Sequence, residues 1–384
     1  MMRNIAPETK LLITIALAFH LIFVWLWLFP FSYAPGKVIS PSVYSFISDM
    51  EYYRRYAEKI CAAGWRPLLA DILHYYRIIG GIDAATPPPP PGVLLPALMC
   101  LSGYAPGQTL LLAAIWLESA LAFSLLSAWW LMRRGGGLFW AGLFAFSPYT
   151  LFHGFVIGAD MPAALLVFAT FLAVERAVRL HWRAKAYALA LGLAVAAALS
   201  RPTGPQALLI LHGALLFLPA GLPWRRILGL QVLTAVFTLA GIWYYFPYFH
   251  WFITVSGDYQ PVGGIAQSYL ISGLGDLWND PLLYLRQGAE LLGRKLLMLS
   301  GYYPSDSGSL YGLSARFAFG VFLLLGFIAT FIRGRRLEIL ALLVVLSPML
   351  FGHTMARYLL PVMPVIFLHA VMVLRLLWRR WAGR

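Results

Sequence analysis

The residues best suited to chemistry begin in one acidic, aromatic and basic stretch, Ser48 to Lys59, which follows the first long apolar run of the chain. Within it Asp49 is the candidate general base, because a carboxylate beside an apolar bundle can take the proton of an attacking hydroxyl. The same residue is equally suited to cap the helix that begins at Met50. Asp160 is a further candidate, either as an acid or as the N-cap ahead of Pro162. Arg201 and Arg357 are the candidates for binding a phosphate, since a guanidinium fork makes bidentate, charge-assisted bonds and stays charged, and His353 in the same polar cluster as Arg357 is a further one. Tyr52 and Tyr53 are suited to stacking on a substrate, and Arg294 and Lys295 to a donor phosphate or to lipid headgroups. Together these types suit sugar transfer from a lipid phosphate. A hydroxyl attacks the anomeric carbon, the carboxylate takes the proton, the arginines stabilise the departing phosphate, and one displacement inverts the centre.

The elements that position these residues are apolar. Hydrophobic residues make up 61% of the chain and charged residues 11%, against about 45–50% and about 25% in soluble domains. This is the composition of an all-α polytopic membrane protein. Ten spans are expected, at about 11–30, 107–132, 138–153, 162–178, 186–200, 204–221, 227–249, 316–332, 337–352 and 359–378. The whole of 1–384 is read as one transmembrane domain with two large outer loops, about 31–106 and about 250–315.

Charge placement orients these spans. With the N-terminus inside, 17 basic residues face three acids on the inner side, while the outer side is nearly balanced. The net charge of +14 therefore falls on one side, as the positive-inside rule expects, and nucleic acid is not the expected partner. The first run is too long for a signal peptide and no small-residue cleavage site follows it. Both termini are expected in the cytoplasm and the polar sites at the opposite face. Cys61 and Cys100, the only cysteines, both fall on or near that face, where one disulfide can form.

Helical spacing predicts a helix over 41–63 and a second over 67–79, the first suited to lying on the membrane surface. Pro87 to Pro91 favour polyproline II, either as a rigid spacer or as the rim of a site. The apolar run 93–104 is too short to span and reads as re-entrant or interfacial. Glu118 falls at membrane depth, where an ionisable group is a functional candidate. The segment 281–300 reads as another surface helix. Three polar clusters, at 153–162, 200–205 and 353–358, share the face of Asp49.

This order of features resembles the GT-C superfamily of polyprenyl-phosphate-sugar-dependent membrane glycosyltransferases, and the resemblance covers nearly the whole chain. It rests on the acidic loop at Ser48 to Tyr53, the proline-rich approach at Pro88 to Leu98 and Ser147-Pro148. It continues through Asp160, the Arg-Pro-Thr-Gly of Arg201 to Gly204, and the Arg-Tyr-Leu-Leu-Pro of Arg357 to Pro361 with His353 before it. The resemblance implies that Asp49 is the catalytic carboxylate and that Arg201 and Arg357 lie near the lipid phosphate. Asp49 and Glu51 resemble the family's spaced acidic pair, which makes Glu51 a second acid candidate, although residues two apart on a helix point in different directions and Asp49 alone is taken as the base. The aromatic pair after the acid and the region of Asp160 look most similar to the mannosyltransferase branch that includes the enzyme adding the second mannose of GPI anchors. That branch commonly has a Trp before the acid, and here Ser48 stands there.

The expectation is therefore a transferase of mannose or another hexose or pentose from a polyprenyl- or dolichyl-phosphate donor to a lipid, glycan or protein acceptor. Arginine outnumbers lysine and connections are compact, which leans toward a bacterial cytoplasmic membrane with the active site facing the periplasm or exterior, and a role in cell-envelope glycolipids. No cofactor or metal is expected, since no His or Cys cluster has ligand spacing. The alternatives are a transporter or flippase of lipid-linked sugars, a glycan polymerase or ligase of similar layout, and a non-catalytic scaffold.

Overall fold

A computed structural model describes residues 6–29, 31–34, 37–39, 49–82, 86, 89–90, 92–101, 109–147, 150–151, 160–258, 282, 286, 310–351 and 356–383. Helices dominate. In chain order they are α1 (Pro7–Leu28), α2 (Asp49–Ala63), α3 (Arg66–Ile78), α4 (Leu94–Leu101), α5 (Thr109–Arg133), α6 (Leu138–Ala145), α7 (Asp160–Arg179), α8 (Ala184–Ser200), α9 (Gln206–Phe217), α10 (Trp224–Asp258), α11 (Leu310–Arg333), α12 (Arg336–Phe351) and α13 (Met363–Trp381). A 3-10 segment, Ala356–Val362, leads into α13. The sequence pattern gives no strand in the first loop. The structure has one short antiparallel hairpin there, β1 (Phe31–Ala34) with β2 (Lys37–Ile39), Phe31 opposite Ile39.

Among the described residues, five stretches are long and apolar enough to cross a membrane: Pro7–Leu26, Ala114–Arg133, Asp160–Arg179, Trp224–Trp251 and Leu359–Trp381. Ala184–Ser200, Gln206–Phe217 and Gly320–Arg333 are apolar but shorter. The chain is thus a predominantly helical protein with the character of a membrane protein. Local sequence explains where several helices stop. Helix α1 starts on Pro7, whose missing N–H costs nothing in a first turn. Helix α6 is shorter than the expected 138–153 run. Its end is closed by the Ser147 hydroxyl, which accepts the Thr150 N–H, and by the Thr150 hydroxyl, which donates to the Phe144 carbonyl. Helix α7 has Asp160 in its first turn and Arg176 and Arg179 in its last, each complementing the helix dipole.

The chain forms two compact units. The first comprises Met1–Gly81 and Pro87–Phe249, the second Ile82–Thr86 and His250–Arg384. In the first, α7 packs along α8, and α5 packs on α7. The buried face of α8 is a run of alanines, Ala186, Ala190, Ala194 and Ala197, which lets the helices approach closely. Between α5 and α7, Trp130 stands edge-on to Phe168 and Phe171. In the second unit, α11 lies against α13, with Phe322 edge-on to Phe367 at 5.2 Å between ring centroids.

Helix α10 contains Pro247, which supplies no N–H to the carbonyl four residues earlier. That carbonyl belongs to Trp243, and it accepts instead from the Tyr76 hydroxyl of α3 at 2.5 Å. Tyr76 also stacks on Trp243 and Phe246. The proline thus creates the acceptor by which α3 docks on α10. Burial raises the phenols of Tyr75 and Tyr76 above the usual tyrosine value, so both are neutral at physiological pH.

Candidate functional site

The turn between α8 and α9 is the centre of the site. Pro202 biases the residue before it away from the helical region, and Arg201 is accordingly extended at φ −166° and ψ 168°. This stops α8 at Ser200 and turns the Arg201 side chain toward the start of α7. There the guanidinium donates to a carboxylate oxygen of Asp160, and both side chains are largely shielded, 11% and 9% exposed. The rest of the turn is tightly built. The Gly204 N–H donates to the Arg201 carbonyl at 2.8 Å, and a Cβ at Gly204 would lie 1.8 Å from the Ala197 carbonyl oxygen. Only glycine fits.

The proline-rich approach ends on the same turn. The Val93 N–H donates to the Leu199 carbonyl at 2.9 Å. A Cβ at Gly92 would lie 2.6 Å from the Ser200 carbonyl oxygen and 3.2 Å from the Arg201 nitrogen. Pro89 and Pro90 are buried. The residues that follow the run, Gly92 and Val93, therefore pack on the backbone of this turn.

From the other side come tyrosines. Tyr245 of α10 is buried, its hydroxyl donating to the Ala198 carbonyl at 2.6 Å. Its electrostatic neighbours include Tyr244, Tyr53 and Arg201. Tyr244 in turn lies near Tyr56, and its hydroxyl is buried without a hydrogen-bond partner among the described residues.

Tyr53 and Tyr56 belong to α2, whose first residue is Asp49. Asp49 lies one turn before Tyr53 on that helix. Three ties hold α2 here. The Cys61–Cys100 disulfide joins it to α4, the Lys59 ammonium reaches Asp71 of α3 at 2.6 Å, and Tyr56 and Ile60 pack with Leu68, Val93 and Cys100. The disulfide that the sequence permitted is therefore present. The expected helix over 41–63 is described from Asp49 onward, and the one expected at 67–79 runs Arg66–Ile78.

Among the sequence candidates, the structure thus brings Asp160 and Arg201 together, while Tyr53, on the helix that Asp49 opens, shares with Arg201 the neighbour Tyr245. Glu51 and Tyr52 lie in the first turn of that helix. Arg357 lies in the 3-10 segment of the second unit. His353, Arg294 and Lys295 lie outside the described residues, as does nearly all of 281–300. Ser147 is buried and closes α6.

Some contributors were not singled out from the sequence. Tyr244 and Tyr245 are two. The available signal was the run Trp243 to Tyr248, aromatic except for Pro247, at the end of a long apolar helix. Two ionisable pairs also stand out among the described residues. Glu118, noted for its depth, faces His20 of α1 at 3.2 Å, and both are more than half exposed. In the second unit Glu338 and His369 are buried together at 3.0 Å, and Glu338 also accepts the Arg335 N–H, half of a capping box on α12.

Chemically, the Arg201 turn offers a fixed positive group already oriented by a carboxylate. A guanidinium carries five N–H donors, so it can serve a carboxylate and a phosphate oxygen together. Among the described residues no three His, Cys, Asp or Glu side chains gather as a metal site. No protein-family description, no curated protein and no solved structure matches the chain.

Proposed function

We propose that this chain is a membrane-embedded glycosyltransferase that takes a sugar from a polyprenyl-phosphate donor. The single observation that supports the reading is the convergence on Arg201. Asp160 of α7 pairs with this extended arginine, Gly92 after the proline run packs on its backbone, and Tyr245 of α10 has both Arg201 and Tyr53, on the helix opened by Asp49, as electrostatic neighbours. In this reading the ten expected spans set the Arg201 turn at the face opposite the basic loops, in a bacterial envelope membrane. Arg201 holds the lipid phosphate, Asp160 orients Arg201, and Asp49 accepts the proton of the acceptor hydroxyl. The new oxygen–carbon bond forms as the anomeric carbon–phosphate oxygen bond breaks, and the lipid phosphate departs with inversion. Mannose is the first sugar to try, on the resemblance to the mannosyltransferase branch, and the acceptor is a lipid, glycan or protein. Arg357 and His353 are proposed as further phosphate ligands.

The test is release of polyprenyl phosphate from a panel of short-chain polyprenyl-phosphate sugars by purified protein with a membrane lipid extract. Native protein releases it from one sugar, and Asp49→Asn loses at least about a hundredfold, the scale of general-base catalysis. No release from any donor by native protein sinks the reading.

A second reading, carriage of a lipid-linked sugar, draws on the His20–Glu118 pair, since ionisable groups at membrane depth line carrier pathways. It predicts donor movement across vesicles without bond cleavage.

A further inference from the structure

We propose that one edge of α3 is a binding surface for anionic phospholipid headgroups. With about 3.6 residues per turn, Leu68, Ile72 and Tyr75 share the face of α3 that is buried in the first unit. Leu69 and Leu73 lie on the flank beside Tyr76 and are 50% and 42% exposed; Trp65, just ahead of the helix, is also exposed. Isolated exposed leucines need no explanation, but these are continuous with a second surface. Tyr76 stacks on Trp243 and Phe246 of α10, both themselves well exposed. The outward face of α10, including Val232, Val236, Leu239 and Ile242, is apolar along its length, as a helix facing lipid must be. The apolar edge of α3 therefore extends the lipid-facing surface of α10 at right register, beside its proline.

Charge places the headgroups. Arg66 and Arg77 follow Leu69 and Leu73 around the helix, at the border between the apolar edge and the polar face. Both are exposed, and neither makes an ion pair among the described residues. Elsewhere in this region cations are matched, Lys59 by Asp71 and Arg54 by Glu58. Two unmatched arginines along the rim of an apolar edge fit phosphate-bearing anionic lipid, with their stems on the leucines and their guanidinium groups at headgroup level. The polar face, with His74 and Asp71, is left to water.

The test uses the full chain in lipid discs with one added cysteine at a time, Leu69→Cys, Leu73→Cys or His74→Cys, each carrying a nitroxide. The native cysteines are joined and leave the added thiol as the reactive one. In discs containing phosphatidylglycerol, labels at 69 and 73 are expected to be open to oxygen and shielded from a water-soluble nickel chelate, and the label at 74 the reverse. Adding Arg66→Gln with Arg77→Gln shifts 69 and 73 toward the nickel-accessible value in these discs, with an unchanged melting temperature. The proposal is overturned if all three labels are equally open to nickel. It is also overturned if 69 and 73 are shielded from both probes, which would mean protein covers the edge. An arginine double variant that leaves the labels unmoved removes the headgroup contact.

Discussion

Helix α7 carries an arginine–carboxylate pair at each end, and the two have the same burial but different surroundings. At one end Asp160 takes Arg201, and at the other Glu175 takes Arg134 at 2.5 Å, the side chains 12% and 11% exposed. Around Glu175 everything is structural. The Trp130 indole N–H reaches its second oxygen at 3.4 Å, Arg179 approaches it at 3.6 Å, and the Arg134 guanidinium lies over the Trp130 ring. Arg134 follows directly on α5, so the pair joins the ends of two helices. Arg201 stands instead in an extended residue between a helix and a proline, walled by two glycines that admit no side chain and with Tyr245 of α10 as an electrostatic neighbour. Burial of an ion pair does not by itself mark a site. The irregular, tightly built backbone and the convergence of distant segments distinguish the Arg201 end.

If the Arg134 end is a staple, breaking it costs fold and not chemistry. Arg134→Ala leaves a shielded carboxylate short of its main partner and is expected to destabilise by about 3 kcal/mol, the low end for a broken buried pair because Arg179 remains. Thermal unfolding in detergent checks it, with turnover per folded molecule unchanged. At the other end, replacing Cys61 and Cys100 by serine removes the covalent tie of α2 to α4. About 2–4 kcal/mol is expected, read by the same melt, with turnover falling further than the population of unfolded protein explains. Gly204→Ala forces the Arg201 turn apart and costs about 1–3 kcal/mol, again with turnover lost. The smallest effect is expected for Tyr76→Phe, which leaves the Trp243 carbonyl without its donor at about 1 kcal/mol. A melt in native and variant protein reads it.

Much of this contrast was written in residue types. Pro202 after Arg201, the glycines at 92 and 204, and the acid before Pro162 are local signals, and each acts locally as its chemistry dictates. The pairing of Asp160 with Arg201 was not legible, because it depends on how α7 and α8 rotate against each other over a stripe of alanines that could register at several offsets. Tyr245 was hidden for a similar reason: one apolar–aromatic helix looks alike on every face until its neighbours choose one. Helix lengths were overread where an apolar run continues past a polar turn, as at Ser147. The hairpin at 31–39 gave no alternating pattern strong enough to separate it from loop. The disulfide was visible only as two cysteines on one side, and its partner choice followed from there being no others.

The most direct test of the contrast is binding of a short-chain polyprenyl phosphate, followed by titration calorimetry in detergent, to native protein, Arg201→Gln and Arg134→Gln. The account predicts that Arg201→Gln weakens binding at least about tenfold, the scale of a charge-assisted hydrogen bond of about 1.5–3 kcal/mol, and that Arg134→Gln binds as the native protein does while melting lower. Native-like affinity in Arg201→Gln, with a melting temperature lowered as far as that of Arg134→Gln, would make both ends of α7 staples and contradict the account.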